Sequence, residues 1–157
     1  MGSNLKYLDD CIGRIVQVDR GGPESQSGIL LANRDDFFIL KGENEATFYY
    51  QHAHVKSISL NTQDGFALTN VLLEEELSES ITFTDVLNEL RHKWVNINRG
   101  GPSKMEGVID NVQGDVLTLI HQNTLLTVPI FHIRNVTLGA PKIEENEEPG
   151  GKNNDKF

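Results

Sequence analysis

Two short elements of the chain place a guanidinium beside consecutive glycines: Arg20-Gly21-Gly22-Pro23 and Arg99-Gly100-Gly101-Pro102. Such a loop can accept a carboxylate or phosphate from a partner, because the planar guanidinium donates forked hydrogen bonds and glycine leaves backbone amides uncovered. The same residues also read as turns. Glycine supplies positive φ, proline fixes φ near about −65°, and each arginine would then pair with a local acid such as Asp19 or Glu24. A phosphate-binding P-loop is excluded, since neither element continues into Gly-Lys and a hydroxyl residue.

The remaining reactive residue types form weaker patterns. His52 and His54 lie two apart, so on a strand they would share a face and could grip a metal, but no third ligand stands at a convincing spacing. His54 and His132 read better as bonding backbone at the start of a strand, and His92 and His121 have no evident partner. Cys11 is the one cysteine, so it excludes an intrachain disulfide and a thiolate cluster; it reads as a small core residue. Tyr49 and Tyr50 could take part in tyrosine cross-links, although on a strand they are first of all ordinary β-formers. Glu74-Glu75-Glu76 reads as a solvated run, with calcium or a basic partner as the alternative. No nucleophile, base and orienting group stand together, and there is no cofactor fingerprint. The sequence therefore predicts no enzyme, no cofactor and no metal site.

The elements that must position these residues are repeated. Val18-Asp19-Arg20-Gly21-Gly22-Pro23 recurs 79 residues later as Ile97-Asn98-Arg99-Gly100-Gly101-Pro102, and the same offset pairs Val16 with Val95, Gly28 with Gly107, Asp36 with Asp115 and Leu40 with Leu119. After a one-residue deletion the offset becomes 78, pairing His54-Val55-Lys56 with His132-Ile133-Arg134 and Leu60 with Leu138. Two copies are too few for a solenoid. The pattern predicts a first unit over residues 1–60, an acidic connection over 61–81, a second unit over 82–139 and a disordered tail over 140–157.

Each unit reads as a short α-helix followed by about five strands. Phe83, Val86, Leu87 and Leu90 share one helical face, with Thr82 and Asp85 as a capping pair; Leu8 and Cys11 take the matching places in the first copy. Val16 and Val18, or Val95 and Ile97, alternate with polar residues as in a half-buried strand, and Trp94 lies on the opposite strand face, covering the sheet from outside or lying in an interface. Further strands are expected at Gly28-Ile29-Leu30, Phe37 to Leu40, Thr47 to Tyr50 and Val55 to Leu60, and at their counterparts. A helix feeding five closely spaced, bent strands predicts a mainly β protein built of two small closed barrels in tandem.

Composition narrows the partners. The 157 residues are 38% hydrophobic and 24% charged, with a net charge of −9 and a pI of about 4.9. A uniformly acidic chain repels phosphate backbones, which argues against nucleic acid unless one face is locally basic. The acidity is concentrated: Asn61 to Leu90 holds seven acidic and no basic residues. No apolar run approaches the roughly 18 residues of a membrane span, so no membrane partner is expected. Met1 to Leu8 lacks the features of a secretory signal, which predicts synthesis in the cytoplasm.

The helix, the strand ending in a turn, the glycine opening the second strand and the apolar last strand are similar to Sm-like, SH3-type barrels. A more specific resemblance comes from Trp94-Val95-Asn96-Ile97-Asn98-Arg99-Gly100-Gly101-Pro102 and Phe131-His132-Ile133-Arg134-Asn135-Val136-Thr137-Leu138-Gly139, with their counterparts at Arg20 to Ser25 and His54 to Ile58. These segments closely resemble the spore coat protein B (CotB-like) family of endospore-forming bacteria. That resemblance implies a structural coat component, made in the mother cell and assembled on the forespore surface, with other spore coat proteins and self-association as partners. It also implies a long Ser/Lys/Arg-rich tail, which the short acidic segment after Gly139 does not match. The Sm-like resemblance alone implies an alternative, a nucleic-acid-binding or regulatory module, although the last strands offer Val55-Lys56 and Ile133-Arg134 in place of an Arg-Gly pair.

Overall fold

The computed structural model describes residues 5–42, 46–60, 77–99 and 101–139. Gly100, Glu74 to Glu76, most of the expected connection (61–76) and the tail from Ala140 lie outside the described residues. A 3-10 helix at Lys6–Cys11 leads into β1 (Ile15–Val18), β2 (Gln26–Asn33), β3 (Phe37–Gly42), β4 (Thr47–Gln51) and β5 (Ile58–Leu60). Helix α1 (Phe83–Glu89) leads into β6 (Trp94–Ile97), β7 (Met105–Gln113), β8 (Val116–His121), β9 (Thr124–Pro129) and β10 (Asn135–Leu138). A 3-10 turn precedes the last strand of each half, at His52–His54 and Ile130–His132.

The protein is mainly β, but the strands do not close into two separate barrels. They form one open sheet in the order β5-β1-β2-β3-β4-β10-β6-β7-β8-β9, every neighbouring pair antiparallel. Each half keeps the same internal order, with its last strand beside its first. The expected closure fails because β4 pairs outward with β10, setting Tyr50 opposite Asn135, Tyr49 opposite Val136 and Phe48 opposite Thr137. An unpaired β4 edge would leave backbone donors and acceptors exposed, and β10 satisfies them. The repeat extends to irregularities: both long strands shift register at the same place, between Leu30 and Ala32 and between Ile109 and Asn111. Such bulges bend a strand and increase its twist.

Gly28 and Gly107 are required by close approach. A Cβ on Gly28 would stand 2.3 Å from the Lys41 carbonyl oxygen, and one on Gly107 would stand 2.6 Å from that of Ile120.

The two leading helices differ. Thr82 caps α1, its side-chain oxygen accepting from the Asp85 amide at 3.2 Å, and Phe83, Val86 and Leu87 are buried. The first segment is a 3-10 helix instead of the expected α-helix. Leu5, at its N-cap, offers no side-chain hydrogen bond, and only Leu8 and Cys11 are buried. Without a cap and with little apolar surface to bury, a six-residue segment stays in the tighter form used for short pieces.

Two apolar clusters hold the sheet, and they share β3. Phe38 and Leu40 join Leu8, Val16, Val18 and Tyr50 in the first. Phe37 and Ile39 point the other way, into the cluster formed by α1 and the second half, with Leu31 and Ala32 beside them. Phe37 meets the Phe83 ring edge-on, with centroids 6.3 Å apart. Four consecutive apolar residues on β3 are therefore buried because both faces of the strand are covered. The counterpart strand β8 reads Val116-Leu117-Thr118-Leu119, and only Leu117 and Leu119 are buried. Among the described residues no helix is long and apolar enough to cross a membrane.

Candidate functional site at the Arg-Gly-Gly-Pro loops

The residue before each arginine fixes the loop. Asp19 and Asn98 have φ of 57° and 55°, in the left-handed region that Asp and Asn tolerate better than most residues. Both are buried, at 5% and 3% exposure. Asp19 Oδ1 accepts hydrogen bonds from the Lys56 amide at 2.6 Å and the Ser57 amide at 3.3 Å, while the Asp19 amide donates to the Ser57 carbonyl at 2.8 Å. The Arg20 amide donates to Ser57 Oγ at 3.2 Å. In the second half Asn98 Oδ1 accepts from the Arg134 amide at 2.6 Å, and Asn98 Nδ2 donates to the His132 carbonyl at 3.2 Å. The Asn98 amide donates to the Asn135 carbonyl at 3.0 Å, and the Arg99 amide to Asn135 Oδ1 at 3.3 Å. The two signatures of the repeat, the Arg-Gly-Gly-Pro element and the His-apolar-basic element, are thus the two sides of one clasp.

Gly21 and Gly22 stand exposed with φ of 81° and 92°, beyond the reach of ordinary side chains, so the loop after Arg20 turns as a glycine pair requires. Gly101 is held closely: a Cβ there would lie 3.1 Å from Glu24 Cγ, which sets the two loops side by side. Pro23 and Pro102 are exposed on these loops.

The arginines do not pair with the local acids that the sequence suggested. The Glu24 carboxylate instead reaches the other half, 3.3 Å from Arg134 Nη1, and also lies 3.7 Å from Lys56 Nζ. Asp19 is committed to backbone amides. Among the described residues neither the Arg20 nor the Arg99 guanidinium has a carboxylate partner, and both residues are exposed. Arg99 lies over the Phe48 ring, 5.8 Å from its centroid. Arg134, in contrast, is buried and also donates through Nη2 to the Arg99 carbonyl at 3.1 Å.

Each arginine borders a cleft, and the clefts are repeats of one another. The larger, about 480 Å³, is lined by Asn96, Arg99, Lys104, Met105, Glu106 and Leu138 among others. The smaller, about 330 Å³, has Gln17, Arg20, Ser27 and Leu60 at the matching places. Neither assembles a nucleophile with a base.

The other candidates are engaged elsewhere. His52 is buried, its Nε2 2.8 Å from Asn33 Oδ1 and its ring stacked on Phe38, whereas the His54 ring nitrogen meets the Phe131 carbonyl in the second half. Their different partners keep the two rings from forming a shared metal grip. His132 packs edge-on to Phe131. Trp94 is half-buried, its ring edge-on to His121 with centroids 5.8 Å apart. Cys11 is buried and free, and burial pushes its thiol up against the opposing charge of Arg14. Tyr50 is fully buried, and desolvation raises its phenol far above the ordinary tyrosine range, with Arg134 opposing.

Sequence reasoning missed the clasp residues Asp19, Asn98, Ser57 and Asn135, and the bridge from Glu24 to Arg134. The signal was present: both sides of each clasp are the segments best preserved between the two copies, which is what direct contact between them would produce.

No protein-family profile matches the chain. No solved structure matches it either. It is 36% identical over 142 residues to spore coat protein B of Bacillus subtilis (strain 168), an alignment covering 87% of this chain and 36% of that protein. The chain therefore spans about a third of the length of its curated relative. An alignment of this extent draws on both halves, and the chain belongs to the spore coat protein B (CotB-like) family.

Proposed function

We propose that this chain is a structural, non-catalytic component of the bacterial endospore coat, made in the mother-cell cytoplasm and held in the coat by contacts with other coat proteins. The relative named spore coat protein B supports the location. The observation that carries the mode of assembly is the pair of exposed guanidinium groups, Arg20 and Arg99, each following a clasped residue and without a carboxylate partner among the described residues. A planar fork held this way suits carboxylates on neighbouring acidic proteins. In this reading residues 1–60 and 82–139 are two Sm-like units joined by the acidic connection, and the shared strand order of the halves supports it.

Replacing Arg20 and Arg99 together by Ala tests the proposal. Exposed loop substitutions that leave backbone geometry alone usually cost under about 0.5 kcal/mol, so the fold should persist. Incorporation into the coat of sporulating cells should fall, and added salt should weaken binding to coat extracts in the same way. Normal incorporation of the folded double variant would remove the loops from the interface. RNA binding with a steep salt dependence, abolished by the same variant, would favour the nucleic-acid-binding alternative.

A further inference from the structure

The seam between β4 and β10 joins the fourth strand of one unit to the last strand of another. Among the described residues the same two kinds of edge are left unpaired at the ends of the sheet: β9, the counterpart of β4, and β5, the counterpart of β10. We infer that β9 of one copy pairs with β5 of a second copy, repeating the internal seam between molecules in a head-to-tail series. The inference goes beyond the loop-based reading above and does not depend on it.

The register follows from the repeat. Transposing the internal seam sets Val128 opposite Ser57, Thr127 opposite Ile58 and Leu126 opposite Ser59. The next pair is then Leu125 opposite Leu60. These are two of the exposed large apolar residues of the protein, at 60% and 36% exposure, and they lie on the two outermost strands of the sheet. Across the proposed seam they become a directly facing cross-strand pair. Tyr7 adds to the match. It is 55% exposed at the place where Val86 of the second half is buried beside Phe37 and Ile39 at the internal junction.

The structure also shows why such a seam is weaker than the internal one. Inside the molecule the Gln51 amide donates to the Arg134 carbonyl at 3.1 Å, and Gln51 Nε2 donates to the carbonyls of Ile130 and Ile133 at 2.9 and 2.6 Å. The counterpart of Gln51 is Pro129, which has neither donor. The counterpart of Glu24, which pairs with Arg134 across the seam, is Ser103, facing Lys56. Association should therefore be reversible and concentration-dependent. The interface is heterologous, so repetition generates a ring or a filament according to whether the rotation closes.

Sedimentation velocity on the purified full chain, from micromolar to millimolar concentration, tests this. The expected result is reversible growth in size with concentration. Pro129→Gln should tighten association by about fivefold or more, the worth of a regained backbone hydrogen bond, and Ser103→Glu should tighten it further at low salt. The Gln51 amide points to the seam and strand residues alternate, so Thr127 also faces outward; Thr127→Pro should abolish association while leaving the circular dichroism spectrum unchanged. Mixing Ile58→Cys with Thr127→Cys protein under oxidation should give a mixed disulfide dimer, while neither variant alone should cross-link. A wild type and Pro129→Gln variant that both stay monomeric throughout would overturn the inference. So would cross-linking of either cysteine variant with itself, which marks a two-fold interface.

Discussion

Replacing Asn98 by Ala measures what the clasp is worth. The substitution removes the acceptor for the Arg134 amide at 2.6 Å and the donor to the His132 carbonyl at 3.2 Å. Arg134 is 8% exposed and Asn98 3%, so water does not readily replace the bond to the Arg134 amide, whereas His132 is exposed. Leaving buried polar groups unpaired costs about 1–3 kcal/mol. Alanine must also hold φ of 55°, which costs a residue with a Cβ about 1–2 kcal/mol. The expected loss is about 3 kcal/mol, read as a shift of the urea midpoint, or a fall in melting temperature of roughly 6–12 °C for a chain of this size. Asn98→Gly separates the two contributions. Glycine adopts this backbone freely but restores no hydrogen bond, so it should be less damaging than alanine by about 1 kcal/mol. Asn98→Asp keeps the acceptor, as Asp19 does in the first half, and should be milder still. A loss under about 0.5 kcal/mol for the alanine variant would refute the clasp as a structural element.

Gly28→Ala and Gly107→Ala should each destabilise the sheet strongly, since the new Cβ would lie 2.3 and 2.6 Å from a neighbouring carbonyl oxygen; chemical denaturation checks this. Phe37→Ala should cost about 3–5 kcal/mol and, because Phe37 belongs to the cluster of the second half, should lower the melting of probes placed in either half together. Tyr50 titrates far higher in the folded protein than unfolded, where its pKa is about 10. The folded state thus keeps a proton that the unfolded state releases, and stability should fall as pH rises past that unfolded value; Tyr50→Phe should flatten this alkaline limb.

Periodicity and the repeat made the strands legible. Val16, Val18, Val95 and Ile97 are buried as their alternation required, and the preserved glycines mark real close approaches. The clasp was not legible as chemistry, because Asp19 and Asn98 act on residues more than thirty positions away and each looks locally like a turn residue. The seam was harder. Backbone hydrogen bonds between strand edges do not select side-chain types, so β4 and β10 show no complementary pattern. The usable trace lay in the differences between the copies: Phe37 and Ile39 against Val116 and Thr118, and Gln51 against Pro129. Those positions carry large apolar or donor-bearing side chains only where a second unit covers them. The charge of Glu24 was read as a partner for Arg20 because proximity in sequence was the available guide; the fold turns it toward Arg134.

The position of β10 in the chain has a consequence during synthesis. Its last residue, Leu138, leaves the ribosome 87 residues after Gln51, the end of β4. At about 5–20 residues per second that interval is roughly 4–17 seconds. Throughout it the nascent first half presents the open β4 edge together with the apolar face of Phe37 and Ile39, whose cover does not yet exist. On a polysome, neighbouring nascent chains stand at staggered stages, and a finished β10 from one ribosome is chemically identical to the one still to come from another. The β4 edge and the face of Phe37 and Ile39 are the last parts of the first half to gain their partners as the chain is made.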